Sequence, residues 1–514
     1  MSTPPPPLSM RTELGALIRL TLPIMVSSML GFLMSIVDLW YVGHLGTHEL
    51  AAAAVGNLFF NTLQHPVFGC ATALDTLLAQ AYGASQLEAY GIHTQTGLFA
   101  LLAMCLPYVA ILLAAEPILL MVRVEPALAK SAAEFCIHLA PGVPPYFVFT
   151  ALTKFLQAQS ILLPSVAIGF AANLLNALGN YLLIHPMGLG FRGAPVATSI
   201  SRWVQCALLC AYLVARRRKL APTLPPRRVA WRQLPSRSKH FLRLGAPGAL
   251  MMGLEAWFFE VSTLLASFLG TVALDAHVVM LNVCAFTFLA FPFAVGIAAS
   301  IRVGHTLGAN QPAIASTTAR VTFVLILTFM SSLAVVKVAC RHVIGLIFSS
   351  DPEVVSTVAS IVFIAALFQI SDGVQAACAG VLRGMGRQST VAWLNLVGFW
   401  VLGLPIGASL TFGAGLGLDG LWWGMAVGLT STAVAGAATL SRTDWQLEAT
   451  KARRRSEACQ PSQPSSTKAP PPPPSTAASD AGADAARETP STEMTIAAAA
   501  AATDDGVRAA HALP

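Results

Sequence analysis

Apolar stretches long enough to cross a bilayer recur along the whole chain, and this recurrence limits the possible folds more than any single motif. They lie near residues 19–43, 50–77, 92–115, 128–150, 163–187, 195–215, 244–268, 275–300, 317–339, 354–380, 390–413 and 417–440. A helix needs about 20 apolar residues to span the hydrocarbon, and within it every backbone N–H and C=O must bond inside the segment. The stretches therefore predict helices. Charged residues make up only 11% of the 514 residues, against about 25% in soluble proteins. That excludes an ordinary soluble enzyme, a disordered chain and a collagen. The predicted fold class is all-α integral membrane, with twelve transmembrane helices.

An internal repeat divides these helices into halves. The segment Leu74–Ala84 parallels Ser300–Ala309 at an offset of 225, Leu156–Gln159 parallels Leu382–Met385 at 226, and Gly193-Ala194 parallels Gly420-Leu421 at 227. Each half holds six spans. An even number returns the chain to the same side, so the halves share one orientation, the parallel-repeat plan of many secondary transporters. The expectation is two six-helix lobes related by a pseudo-two-fold along the membrane normal.

Charge sets the expected topology. Residues 216–243 carry ten Lys/Arg and no acid, as a cytosolic loop should under the positive-inside rule. With the N-terminus cytosolic, basic residues in cytosolic segments before the tail outnumber those in external loops by 17 to 5, counting Lys154 on the first side and Lys337 on the second. Arg202 falls inside a span. Both termini are expected in the cytosol. The domains are a cytosolic N-terminal segment (1–14), an N-lobe (15–215), a basic cytosolic linker (216–243), a C-lobe (244–440) and a disordered cytosolic tail (441–514). The tail is rich in Ala, Pro, Ser and Thr, with five consecutive prolines at 470–474, and cannot bury enough apolar surface to order itself.

Nine scattered cysteines show no paired spacing, so neither a disulfide framework nor a zinc site is expected. No phosphate-binding loop, nucleophile elbow, zinc-protease helix or dinucleotide fingerprint appears. The chain is expected not to be an enzyme, to need no cofactor or metal, and to bind no nucleic acid. Its expected partners are a small organic substrate and the lipid bilayer, with the chain acting as a monomer.

Ionisable residues inside apolar spans are costly and usually face a cavity or a partner. Asp38, Glu255, Glu260 and Asp372 are of this kind. Asp75 is given less weight, since it lies near the end of its span. A separation of five residues puts Glu255 and Glu260 about 140° apart on a helix, so only one can face a cavity squarely, and Glu255 is preferred. Gln369, Asp372 and Gln375 form one polar stripe at helical spacing. Asn173, Asn176 and Asn180 form another, read equally as interhelical packing or substrate contact. Trp257 and Asn282 complete the cavity-lining candidates, since aromatic faces attract organic cations.

Five segments together resemble the MATE (multidrug and toxic compound extrusion) family of eukaryotes. They are Tyr41-Val-Gly-His-Leu-Gly46, Ala73-Leu-Asp-Thr-Leu-Leu-Ala-Gln-Ala-Tyr-Gly-Ala84, Lys154-Phe-Leu-Gln-Ala-Gln159 followed by Pro164, Arg302-Val-Gly-His-Thr-Leu-Gly-Ala309 and Gly380-Val-Leu-Arg-Gly-Met-Gly-Arg-Gln388. The resemblance runs over roughly residues 15–440. It implies two lobes forming a V around a central cavity, and efflux of organic, typically cationic, solutes in exchange for H⁺, with Na⁺ as the other possible ion. It also implies that Glu255, Glu260 and Asp372 supply the coupling carboxylates of the C-lobe. A glutamate that some animal members carry in span 8 is absent, the segment reading Leu281-Asn282-Val283. Asp38 resembles the span 1 aspartate of prokaryotic members. The alternatives are a lipid-linked oligosaccharide flippase of the wider superfamily, whose cavity would be rich in arginine and lysine, or a non-transport protein such as an intramembrane enzyme. The plasma membrane and a vacuolar or other endomembrane are the expected residences.

Overall fold

The computed structural model describes residues 10–225 and 233–457. Among them the chain is helical throughout. The first half comprises α1 (Met10–Gly43), α2 (Thr47–Gly83), α3 (Leu87–Leu113), the short α4 (Ala115–Met121), α5 (Pro126–Leu139), α6 (Val143–Gln157), α7 (Leu163–Ile184), α8 (Gly193–Ala215) and α9 (Arg217–Leu220). The second half comprises α10 (Leu234–Ser267), α11 (Thr271–Ala290), α12 (Pro292–Gly308), α13 (Pro312–Ala339), α14 (Arg341–Ile344), α15 (Pro352–Met385), α16 (Gln388–Asn395), α17 (Leu404–Ala408), α18 (Gly417–Ser441) and α19 (Trp445–Glu457).

Among the described residues, eleven helical segments are long and apolar enough to cross a membrane, α5 with α6, α11 with α12, and 388–413 each counting as one. Helix α2, 37 residues long, brings the spans to twelve. It interrupts its apolar sequence with Asn57, Asn61, Gln64 and His65, all of which face an internal cavity. Prolines at 141, 292 and 405 stand where the regular helix is interrupted within a span, since proline removes a backbone donor. The span 388–413 contains two π-helical stretches, Leu396–Gly403 and Ser409–Gly413. There Gly398, Gly403 and Gly407 lie against the backbone of α18 at Gly424 and Gly428.

The lobes meet on glycines. A Cβ on Gly69 of α2 would lie 2.2 Å from Gly248 O of α10, and one on Gly248 would lie 2.4 Å from Gly69 O. The repeated segments interlock reciprocally. A Cβ on Gly83 would lie 2.1 Å from His305 O, and one on Gly308 would lie 2.2 Å from Gln80 O. Mutual contact between equivalent residues is what a pseudo-two-fold between the lobes requires. Any larger residue at these four positions would wedge the lobes apart.

Hydrogen bonds reinforce the contact at the end carrying the 216–243 loop, here called the basic end. Thr76 Oγ1 donates to Arg383 O at 2.5 Å, Gln80 Nε2 to Gly384 O at 2.9 Å, and Gln388 Nε2 to Thr76 Oγ1 at 2.7 Å. His305 Nε2 lies 2.7 Å from Ala158 O. Glu13 receives Arg302 Nη2 at 2.6 Å, Arg302 Nε at 3.0 Å and Thr318 Oγ1 at 2.9 Å. All of these bonds join one lobe to the other.

Three sequence expectations change here. Helix α1 already begins at Met10, so the N-terminal segment is helical before residue 15 and its Glu13 is committed to the lobe contact. The basic linker becomes helix at Leu234, inside its expected span of 216–243; its residues 226–232 lie outside the described residues. The expected disordered tail opens with α19, which buries Glu448, Ala449, Ala452 and Ser456 against α2, α12 and α13. These residues recur at helical spacing, so a short apolar stripe docks although the segment's composition is polar. Residues 458–514 of the expected tail lie outside the described residues.

Candidate functional site

A cavity of about 680 Å³ lies between the lobes. Its acidic walls are Asp38 from α1, Glu255 from α10 and Asp372 from α15. A side pocket of about 30 Å³ continues from it, sharing Glu255, Met252, Phe288 and Phe293 and ending at Gln375 and Arg383. Glu255 thus stands at the junction of the two spaces.

Glu255 is positioned by its neighbours on the span 388–413. Asn395 Nδ2 donates to Met251 O at 3.0 Å, and Trp400 Nε1 donates to Leu254 O at 3.0 Å. These bonds fix the turn of α10 that carries the glutamate. Asn395 ends α16, and Trp400 lies in the π-helical stretch that follows, a feature frequent at functional sites. The carboxylate itself is held loosely. Oε2 receives Gln375 Nε2 at 3.2 Å and Asn395 Nδ2 at 3.4 Å. Asp372, 6% exposed, lines the same cavity and shows no hydrogen bond to a described residue. Lys337 of α13 is the nearby cation acting on Asp372. It is 4% exposed, and its Nζ donates to Cys284 Sγ at 3.3 Å.

Asp38 is held tightly. Oδ1 receives Asn176 Nδ2 at 3.1 Å and Asn180 Nδ2 at 2.8 Å, and Oδ2 receives the Thr198 hydroxyl. The asparagine stripe on α7 is therefore the cradle of Asp38. Asn173, one turn earlier, donates to Leu30 O at 3.0 Å and ties α7 to α1.

Of the eleven residues proposed from sequence, Asp38, Glu255, Asp372 and Asn282 line the main cavity, and Gln375 lines the side pocket. Asn173, Asn176 and Asn180 do not line it; their Nδ2 groups donate to α1, and their Oδ1 atoms have no partner among the described residues. Gln369 is buried outside both spaces, with neither amide atom partnered among the described residues. Trp257 turns its ring NH to Thr62 O at 3.3 Å, across the lobe contact. Glu260 lies on another face of α10 from Glu255, as the helical angle requires, and lines neither space.

Four features escaped the sequence reading. Asp75, given little weight there, forms a buried ion pair with Lys154 at 2.7 Å, the two residues being 2% and 4% exposed. Lys154 and Lys337, counted as loop charges, are both buried. Asn395 positions Glu255; a lone amide in the apolar run Trp393-Leu-Asn-Leu-Val397 was its only signal. Arg383 ends the side pocket while its backbone carbonyl accepts Thr76 across the lobe contact. Its Nε has no partner among the described residues, and Asp75 and Glu255 are the acids acting on it. One residue therefore touches both the acidic cavity and the seal.

Comparison with known proteins places this geometry in context. The MatE family profile matches residues 23–182 and 247–408. The multidrug and toxin extrusion protein 1 of Xenopus tropicalis is 37% identical over 423 residues, 82% of this chain and 72% of the relative. The Mus musculus protein of the same name is 33% identical over 435 residues, 84% of this chain and 76% of the relative. The crystal structure of the eukaryotic MATE transporter AtDTX14 superposes with a TM-score of 0.82 at 30% identity, covering 87% of this chain and 99% of that one. The Vibrio cholerae MATE transporter VcmN in its bent form, 19% identical, shares the fold with a TM-score of 0.70 over 88% of this chain and 99% of its own.

Proposed function

The chain belongs to the MATE family and is a multi-pass membrane protein that acts as a multidrug efflux transporter; from that premise we propose that it exports organic, typically cationic, compounds in exchange for protons through Glu255 and Asp372. The observation that carries this reading is that, of the three carboxylates lining the cavity between the lobes, the two from the C-lobe are the less bonded. An ionised carboxylate attracts a cationic substrate, and a protonated one does not. Substrate and proton therefore compete for the same groups, and each can drive the other's release. The lobes, sealed at the basic end by the bonds around Thr76 and Glu13, rock to expose the cavity to the other side.

In this reading the basic end faces the cytosol, both termini with it, since the excess of Lys/Arg follows the positive-inside rule. The transporter acts as a monomer, needs no cofactor, and carries no enzymatic activity of its own. The acids on the cavity's C-lobe wall favour a cation exporter over a lipid-linked oligosaccharide flippase. The test is tetraethylammonium uptake into vesicles reconstituted with the full chain, with and without an imposed pH gradient. Uptake that rises with the gradient supports the reading. Uptake that follows a sodium gradient alone, or neither gradient, sinks proton coupling.

A further inference from the structure

Helix α19 ends on a run that cation export leaves unused, Arg453-Arg454-Arg455-Ser456. Its members divide between surface and interior. Arg453 and Arg454 are exposed, and Arg453 Nη2 lies 3.7 Å from Glu457 Oε1 in an exposed pair that contributes little. Arg455 is half-buried and donates from Nη1 to Met385 O at 2.7 Å and to Gln80 Oε1 at 3.2 Å. Those acceptors belong to α15 and α2, so one guanidinium holds both lobes. Ser456 is 2% exposed. Its hydroxyl adds nothing to the packing. The one hydrogen bond it makes among the described residues goes to Ala452 O, one turn back on the same helix, at 3.2 Å. Alanine would fill the place as well and favour the helix more. A serine with arginines two and three positions before it is, however, the pattern that arginine-directed protein kinases select, since their carboxylates pair with the guanidinium groups.

Docking of α19 and modification of Ser456 exclude each other. A phosphate on Oγ carries about 1.5–2 negative charges at neutral pH, and a buried charge needs partners. The residues that α19 buries with Ser456 are an acid and two alanines, Glu448, Ala449 and Ala452. The phosphate would also pair with the neighbouring Arg455 and draw its guanidinium away from Met385 and Gln80. A kinase therefore meets this serine only when α19 is off its surface. That state is within reach, because a helix of 13 residues is marginal alone and segments at the edge of a packed core open locally at low cost. The surface it leaves, on α2, α12 and α13, draws on both lobes. An undocked α19 no longer holds them together at the basic end.

We propose that Ser456 is a phosphorylation site, and that phosphate there keeps α19 off the two lobes and loosens the seal at the basic end. In the transfer, Ser456 Oγ bonds to the γ-phosphorus of ATP, the bond from that phosphorus to the β,γ-bridging oxygen breaks, ADP leaves, and the hydroxyl proton passes to the kinase. The inference rests on the placement of the basic end in the cytosol, where ATP and kinases are, and adds regulation to the export reading above.

The probe is the catalytic subunit of cyclic-AMP-dependent protein kinase with MgATP, applied to the purified full chain. Mass spectrometry of fragments reads phosphate on Ser456, hydrogen exchange of the α19 amides reads docking, and tetraethylammonium uptake after reconstitution reads transport. Wild type should take up phosphate at Ser456, and Ser456→Ala should not. Phosphorylation should speed amide exchange in α19 at least about tenfold. It should change uptake about two- to threefold, in the direction that truncation after Asp444 does, as expected from losing the bonds of one partly exposed guanidinium. Ser456→Glu should reproduce part of both effects, whereas Ser456→Ala should keep the unmodified rates with or without the kinase. Ala449→Pro, which breaks α19, should be phosphorylated faster than wild type.

The site falls if neither wild type nor Ala449→Pro accepts phosphate. It falls equally if only the proline variant does, since the docked chain would then never present its serine. The latch falls if phosphate on Ser456 leaves exchange and uptake unchanged, or if Ser456→Ala responds to the kinase as wild type does. If no cation moves in any chain, the export reading falls, while the exchange rates still decide the latch. Protein isolated from cells in which the kinase is active should already carry phosphate at Ser456. Phosphate acquired only after purification overturns the cytosolic placement and the regulatory role with it.

Discussion

Asp38 and Glu255 line one cavity from opposite lobes, yet they are bonded in opposite ways. Asp38 is 3% exposed and receives two amides and a hydroxyl, which nearly fills the roughly four acceptor sites of a carboxylate. Glu255 is half-buried and has two long contacts on a single oxygen. Asp372 has no hydrogen bond to any described residue. Cavity placement alone does not distinguish these acids; donor count does. A carboxylate already saturated by its own protein has little to offer a substrate, whereas one with open acceptor sites can trade a proton for a cation. By donor count the N-lobe acid is held by its own lobe, whereas the C-lobe acids keep acceptor sites open, as the proposed exchange requires.

The largest effect expected from this contrast is at Glu255. Glu255→Gln should abolish the response of tetraethylammonium uptake to a pH gradient, a loss of at least tenfold. Glutamine keeps the size of the side chain, and the amides of Gln375 and Asn395 can turn to meet it. The unfolding temperature should therefore stay close to wild type. A variant that still follows the gradient would make Glu255 structural and move coupling to Asp372.

The next effect compares the lobes directly. Asp372→Asn should cut gradient-driven uptake at least tenfold while leaving thermal stability near wild type, because no bond is lost. Asp38→Asn should cost less transport and more stability. It puts a neutral acceptor under three donors, and a hydrogen bond to a charged group is worth about 1.5–3 kcal/mol against about 0.5–1.5 kcal/mol for a neutral one. Uptake and thermal unfolding of the purified variants provide the check. Equal losses of transport at equal expression would show that the N-lobe acid also exchanges protons, and the contrast drawn from donor count would fail.

Much of this architecture was legible in the sequence because bilayer crossing is a local property. Each span announces itself within about twenty residues, and the repeat preserved the glycines that later proved to interlock. Pairings between distant residues were not legible. Asp75 finds Lys154 across 79 residues, and Glu13 finds Arg302 across 289; an isolated acid near the end of a span gives no sign of its partner. The asparagine stripe of α7 was visible as a pattern, but its purpose depends on Asp38, 138 positions before Asn176. Helix α19 was hidden for a different reason. Its sequence is strongly polar, and a segment of this length is marginal as a helix alone. Only the surface of α2, α12 and α13 gives its few small residues something to bury against.

The smallest predicted effect follows from that helix and separates two parts of the tail. Arg455 of α19 donates from Nη1 to Met385 O at 2.7 Å and to Gln80 Oε1 at 3.2 Å. One acceptor belongs to α15 in the C-lobe and the other to α2 in the N-lobe, so α19 spans the seal at the basic end. A chain truncated after Asp444 loses these bonds together with the burial of Ala449 and Ala452. Each hydrogen bond from a charged group is worth about 1.5–3 kcal/mol when buried, and the partial exposure of this surface reduces that figure. The sealed form should therefore lose some of its advantage, with uptake changing about two- to threefold and the unfolding temperature falling by a few degrees. A chain truncated after Glu457 keeps α19 and removes only the Ala/Pro/Ser/Thr-rich remainder. Its transport rate per molecule in the membrane should match that of the full chain. Rates normalised to the amount of protein in the vesicles distinguish the two. If both truncations behave like the full chain, α19 contributes nothing to the seal. If both lose the same amount, the residues beyond Glu457 matter and the division of the tail at that point is wrong.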